Sequence, residues 1–210
     1  MSDPAPTVYL VDDDTSVLRG LGRLLAAAGM KVAAFDSPRD FLEAFDPAAP
    51  GCLVLDVEMP ELSGPDLQQA LAAKSSSLPI VFLTGHGDIP MSVQAMKRGA
   101  ADFLTKPVDD EALLAAIRNA FEKNRALRKV REELAQIEQR LAALTSRERE
   151  VLEGVVAGRL NKQIAAELGT VEKTIKVHRA HVMQKMGART LADLVRLAGR
   201  AGIRTGQGRF

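Results

Sequence analysis

The sequence contains no tryptophan, one tyrosine, three histidines and a single cysteine. One thiol cannot build a disulfide framework, and Cys52 lies in an apolar run that reads as a buried strand, so it serves as a small hydrophobe in a reducing compartment. His178 and His181 stand at i, i+3 with no further ligands beside them, a pattern of packing or surface residues and not of a zinc site. No apolar stretch reaches spanning length, and Met1 to Pro6 is too short and polar for a signal peptide, so a cytoplasmic chain without membrane contact is expected. There are no internal repeats. Net charge is also nearly absent, at +1. That balance hides an asymmetry. Residues 1–120 hold 9 Lys+Arg and 17 Asp+Glu, net −8, whereas residues 121–210 hold 19 and 10, net +9. An acidic half followed by a basic half predicts two domains with different partners, nucleic acid among them.

What is present begins with Cys52-Leu53-Val54-Leu55-Asp56. The apolar run suits a central strand of a covered parallel sheet, and it ends abruptly in a carboxylate. Other strands are predicted at Val8–Val11, Lys31–Phe35, Pro79–Leu83 and Asp102–Thr105. Helical spacing falls between them: Val17 to Ala28 before Gly29, a helix opened by Ser37-Pro38, Leu67 to Ala73, and Ile89 to Arg98 before Gly99. Asp14 reads as the cap of a helix starting near Ser16. Strand–helix alternation predicts an α/β doubly wound, five-stranded parallel sheet. From Asp110 to about Ala143 glycine and proline are missing, which predicts one long polar helix. Thr145 to Ile203 then reads as a small all-α domain.

In a parallel sheet, the carboxyl ends of the strands converge on one edge, where open α/β folds carry their chemistry. Asp12 and Asp13 follow the first strand, Asp56 the third, Thr84 the fourth and Lys106 the fifth. Three converging carboxylates need a counter-charge, which Mg²⁺ with oxygen ligands supplies. A carboxylate beside such a cation, a lysine and a hydroxyl is equipped to attack phosphorus. The motifs Val11-Asp12-Asp13, Asp56-x-x-Met59-Pro60-x-x-Ser63-Gly64, Thr84-Gly85-His86 and Lys106-Pro107 resemble the flavodoxin-like receiver domain of bacterial two-component response regulators. The resemblance implies Asp56 as phosphoacceptor. It implies Mg²⁺ ligation by Asp13, Asp56 and the backbone carbonyl of Glu58, with Asp12 acting through a metal-bound water. Lys106 would pair with the phosphoryl group, Thr84 would hydrogen-bond it, and Phe103 would be the coupled aromatic switch. Lys106-Pro107 is expected to be cis. His86 reads as a surface residue of a glycine-rich loop.

In the basic half, Leu144-Thr145-Ser146-Arg147-Glu148 opens a helix with a capping pattern. Leu160–Leu168, the stop at Gly169, and a helix from about Val171 to Met186 that is apolar on one side and basic on the other have the layout of a helix-turn-helix. From charge and spacing alone, a basic bundle that binds no nucleic acid fits equally. Leu144-Thr145-x-Arg147-Glu148-x-Glu150-Val151-Leu152, Gly158-x-x-Asn161-Lys162-x-Ile164-Ala165 and Thr174-Ile175-Lys176-Val177-His178-Arg179 resemble the LuxR-type DNA-binding domain. The whole chain is thereby similar to FixJ/NarL-class regulators, FixJ-like members in style. The resemblance implies Lys176 and Val177 at base edges, with Lys173, Arg179, Asn161 and Lys162 at or near the phosphates, and Thr174 among the DNA-binding residues. Val171 departs from the usual Ser or Thr cap, and Thr170 is expected to take over. Ala180 stands where some relatives carry a lysine.

The expected organisation is a receiver at 1–121, a helical linker at 122–143 and a DNA-binding domain at 144–210. The expected function is a phosphorylation-dependent regulator on double-stranded DNA that is not an enzyme. Its expected partners are a sensor histidine kinase, a second copy on phosphorylation, and RNA polymerase. The alternatives are a regulator working without phosphate and a phosphotransferase or phosphatase. The sequence offers the latter no second general base. Leu127, Val130, Leu134, Ile137, Leu141 and Leu144 are spaced 3, 4, 3, 4, 3, an a/d seam expected to pair two chains. The alternative is a single amphipathic helix resting on its own receiver.

Overall fold

The computed structural model describes residues 5–74, 76–85 and 89–203. Strands β1 (Thr7–Val11), β2 (Lys31–Phe35), β3 (Gly51–Asp56), β4 (Ile80–Thr84) and β5 (Asp102–Thr105) form one sheet in the order β2-β1-β3-β4-β5. Every neighbouring pair is parallel. Helices α1 (Thr15–Ala27), α2 (Pro38–Ala44), α3 (Gly64–Ala73) and α4 (Ile89–Lys97) connect the strands, and α5 (Asp110–Ala142) follows β5. The expected doubly wound sheet is the one observed.

All six residues of β3 are buried. Strand side chains alternate between faces, so Leu53 and Leu55 join Phe41, Leu67 and Phe82 on one side, while Cys52 and Val54 join Leu25, Leu113 and Ile117 on the other. Burial pushes the Cys52 thiol up to about 12, leaving it a neutral apolar group at neutral pH. Asp14 caps α1, its carboxylate accepting from Ser16 N at 2.7 Å, and Ser37 caps α2. Helix α3 starts at Gly64, three residues before the expected Leu67, because Ser63 caps it and Pro65 occupies its first turn.

The chain divides into two compact units after Arg128. Helix α5 is unbroken for 33 residues, roughly 50 Å at 1.5 Å per residue. In the first unit it buries Leu113, Ala116, Ile117 and Ala120. Buried Asn124 accepts from Gly51 N (3.3 Å) and donates to Ser77 O (3.4 Å), and Arg128 donates to Ala48 O.

The second unit contains the end of α5 and helices α6 (Ser146–Val156), α7 (Asn161–Glu167), α8 (Glu172–Met186) and α9 (Leu191–Arg200). Its core joins Val151, Leu152, Ile164, Ile175, Val182, Met186 and Leu194. Ile137, Leu141 and Leu144 belong to this same core, at 3%, 8% and 8% exposure. This corrects the expectation of a seam between two chains. Three of its six residues are consumed within the chain's own helical unit, Leu134 is half-buried, and the outward remainder is Leu127 and Val130. Side chains hold α5 there: Arg140 donates to Met186 O (3.0 Å), and Glu133 pairs with Arg200 (2.7 Å). Gly187, at φ 66°, closes α8 in the left-handed conformation that glycine adopts without penalty.

Candidate functional site

The β3 register sets Asp56 beside Leu83 of β4, and Thr84 lies beside Thr105 of β5. The carboxyl ends of β1, β3, β4 and β5 therefore bring Asp12, Asp56, Thr84 and Lys106 to one edge. Asp12, Asp56 and Thr84 are 3%, 5% and 1% exposed. Lys106 Nζ lies 2.6 Å from Asp12 Oδ2 and 2.7 Å from Asp56 Oδ1. The remaining carboxylate oxygens are also used. Asp14 N donates to Asp12 Oδ1 at 2.9 Å, and Glu58 N donates to Asp56 Oδ2 at 3.0 Å. These bonds fix the carboxylates before any ligand arrives.

Asp13 is exposed, yet carboxylate oxygens of Asp12, Asp13 and Asp56 all lie within 4.8 Å of one another. This hard, all-oxygen donor set fits a divalent cation such as Mg²⁺. Burial raises the Asp56 carboxyl above the usual carboxylate range against the opposing pull of Lys106, and the Asp12 charge adds to the rise. On Lys106 burial acts downward, but its bonds to Asp12 and Asp56 outweigh it and hold the ammonium above its ordinary value.

Phe103 is half-buried, its ring centroid 6.1 Å from that of Phe82. Lys106-Pro107 is cis, as expected. Glu58 is exposed in the turn after β3. His86 lies outside the described residues. Sequence reasoning quoted Gly64 without giving it a role. A Cβ there would stand 2.4 Å from Asp56 O and 3.0 Å from the Phe82 ring, so only glycine lets α3 start against the acidic strand end.

In the second unit, Thr145 and Glu148 form the capping box of α6. Glu148 is buried and also pairs with Lys185 at 2.6 Å, with His181 Nδ1 at 3.6 Å. The Lys185 bond, first, and the Thr145 backbone hold its carboxyl down to about 2. The Lys185 partnership was not legible in sequence, because it joins residues 37 apart on two different helices.

Helices α7 and α8 and the turn between them form the expected helix-turn-helix. Ile175, Val182 and Met186 are buried on α8, while Lys173, Lys176 and Val177 are exposed. Lys162 is exposed at the start of α7, and Thr174 is half-buried. Half-buried Arg179 donates to Asn161 Oδ1 at 3.1 Å, which locks α8 to the first turn of α7. The N-cap of α8 is Val171, with no side-chain cap, which corrects the expectation that Thr170 would take the position. Lys176 is paired with Glu172 at 3.3 Å, a contact sequence reasoning missed.

Among the described residues, no helix is long and apolar enough to cross a membrane. Residues 8–118 match the response regulator receiver domain model, and residues 142–198 match the model of bacterial regulatory proteins of the luxR family. Nodulation protein W of Bradyrhizobium diazoefficiens is 47% identical over 196 residues, covering 93% of this chain and 86% of that protein. Transcriptional regulatory protein FixJ of the same organism is 45% identical, covering 93% of this chain and 96% of that protein. The solved structure of response regulator StyR superposes with a TM-score of 0.85 at 51% identity, covering 93% of this chain and 99% of that one. With an acidic pocket on a five-stranded parallel sheet and a basic helix-turn-helix after it, the chain belongs to the FixJ/NarL-type two-component response regulators, which join a receiver domain to a LuxR-type DNA-binding domain.

Proposed function

We propose that the protein is a phosphorylation-controlled transcription regulator, with Asp56 the acceptor of a phosphoryl group from a sensor histidine kinase. The observation that carries this is Asp56 itself: a buried carboxylate at the end of β3, gripped by Lys106 at 2.7 Å with Asp12 and Asp13 beside it. An Asp56 oxygen attacks the phosphorus of a phosphohistidine, the P–N bond breaks, and the imidazole leaves with the electron pair. Asp12, Asp13, Asp56 and the Glu58 carbonyl would hold Mg²⁺, which supplies positive charge to the phosphoryl oxygens. Lys106 contributes the second positive charge from the protein side. Thr84, buried at the end of β4, would move to donate to a phosphoryl oxygen, and Phe103, beside Phe82, would be the aromatic that follows it.

Output is DNA binding by the second unit. Lys176 and Val177 face base edges of double-stranded DNA, while Lys173, Thr174, Arg179, Asn161 and Lys162 meet sugar and phosphate. Phosphorylation favours a homodimer that occupies two half-sites and meets RNA polymerase there. Incubation with acetyl phosphate and Mg²⁺, read by intact mass, is expected to add one phosphoryl group to the wild-type chain and none to Asp56→Asn. An amide is a poor nucleophile and a weaker cation ligand. Full labelling of Asp56→Asn at another residue would remove Asp56 from this role.

A further inference from the structure

Helix α8 carries Lys173, Lys176, Arg179 and Lys185, and one carboxylate, Glu172. That acid stands in the first turn of the helix assigned to the major groove. Other carboxylates of this unit serve its internal structure: Glu148 and Asp193 cap helices, Glu133 ties Arg200, and Glu167 pairs with Arg159. Glu172 is half-exposed, and its partner is Lys176, one turn further on and 3.3 Å away. Val171, the N-cap of this helix, makes no side-chain cap hydrogen bond.

We propose that Glu172 is a specificity-determining positioning residue that acts through Lys176. Its carboxylate competes with DNA phosphate for the Lys176 ammonium. On non-specific DNA, where phosphate is the sole attraction, Lys176 stays engaged by Glu172 and contributes little. At the correct site, guanine O6 and N7 acceptors at the groove floor take the ammonium over in a fixed geometry. The pair thus weakens non-specific binding more than specific binding, and raises the ratio that decides occupancy among many competing sites. This inference rests on the reading of Lys176 as a base-contacting residue. The rival role for Glu172 is purely structural, a negative charge at a helix N-terminus.

The test uses the full-length protein and two fluorescent duplexes: one selected by the wild type from a randomised library, and one scrambled to the same composition. Glu172→Gln is expected to tighten the scrambled duplex by roughly three- to fivefold at about 0.15 M salt and to steepen its salt slope by about one unit, as one freed lysine requires. The selected duplex changes less, so discrimination falls. In the Lys176→Ala background, Glu172→Gln is expected to change neither duplex, since the coupling runs through that lysine. Glu172→Asp keeps the charge at the helix start but is one methylene short of Lys176, and is expected to move towards the Glu172→Gln behaviour. Wild-type behaviour of Glu172→Asp, or a Glu172→Gln effect that persists without Lys176, overturns the inference in favour of the structural role. So does equal tightening on both duplexes. Lys176→Ala without effect on either duplex overturns instead the reading of α8 on which the inference stands.

Discussion

Two carboxylates with almost no solvent contact, Asp12 and Asp56, share one ammonium at Lys106. Removing that ammonium leaves like charges close together in a poorly hydrated pocket, an arrangement that destabilises the folded chain until a cation or a proton intervenes. Lys106→Ala is therefore expected to melt earlier than wild type in EDTA and to gain more from added Mg²⁺, since cation binding then relieves a larger repulsion. It should still take up phosphate on Asp56 yet fail to convert this into tighter operator binding. Thermal melting with and without Mg²⁺ checks the first part, and an equal Mg²⁺ shift in both proteins would contradict it. The residues of this pocket were legible because a carboxylate that ends an apolar run has few structural uses, and several such ends agreed in order. The spatial partners were less legible. Gly64 against Asp56 O and Asn124 bridging Gly51 N to Ser77 O depend on how α3 and α5 approach the sheet, which sequence spacing does not encode.

Helix α5 shows the same limit at the scale of an element. Its existence and length were legible from the missing glycine and proline, and it ends one residue from the expected position. Its apolar stripe was equally plain, but periodicity states that a face is buried and not what buries it. The stripe at Ile137, Leu141 and Leu144 packs on α6 and its neighbours instead of a second chain. Ile137→Glu is thus expected to destabilise the second unit by about 3 kcal/mol or more, as an unpaired charge in a core does. Val130→Glu, on the 57% exposed part of the stripe, should change stability by no more than about 0.5 kcal/mol. Chemical denaturation of both variants separates an intramolecular core from a paired seam, which would make both severe. The capping box of α6 supplies a pH test in the same unit. Bonds to Lys185 and Thr145 hold the folded Glu148 carboxyl down to about 2, from an ordinary value of 4.5. Its folded value is the lower one, so the stability it contributes is complete above pH 4.5 and disappears as pH falls towards about 2. Glu148→Gln should flatten the acid limb of the stability profile across that window, measured by denaturation at stepped pH; an unchanged limb would place the acid sensitivity elsewhere.

For the whole molecule, the near-zero net charge is the sum of an acidic half that carries the Asp12, Asp13 and Asp56 cluster and a basic half that carries the LuxR-type domain. The charge split pointed to two domains, and the chain divides into two compact units after Arg128, inside the stretch read as a linker. How the halves are coupled was not legible, because the proposed acceptor Asp56 and the residues proposed to meet DNA lie in different units. Dimerisation is a coupling with a measurable electrostatic signature. Each copy neutralises a fixed number of phosphates, so a pair bound to two half-sites should have about twice the salt slope of a single copy. Treatment with acetyl phosphate and Mg²⁺ is expected to shift the sedimenting species towards a dimer and to steepen the salt dependence of operator binding by about twofold. Half-site affinity should stay unchanged, because the DNA-contacting residues of each copy are the same before and after. Asp56→Asn should show neither change. A steeper slope on an isolated half-site, with the protein still sedimenting as a monomer, would mean that phosphorylation unmasks contacts within one copy, and the dimer route would then be wrong.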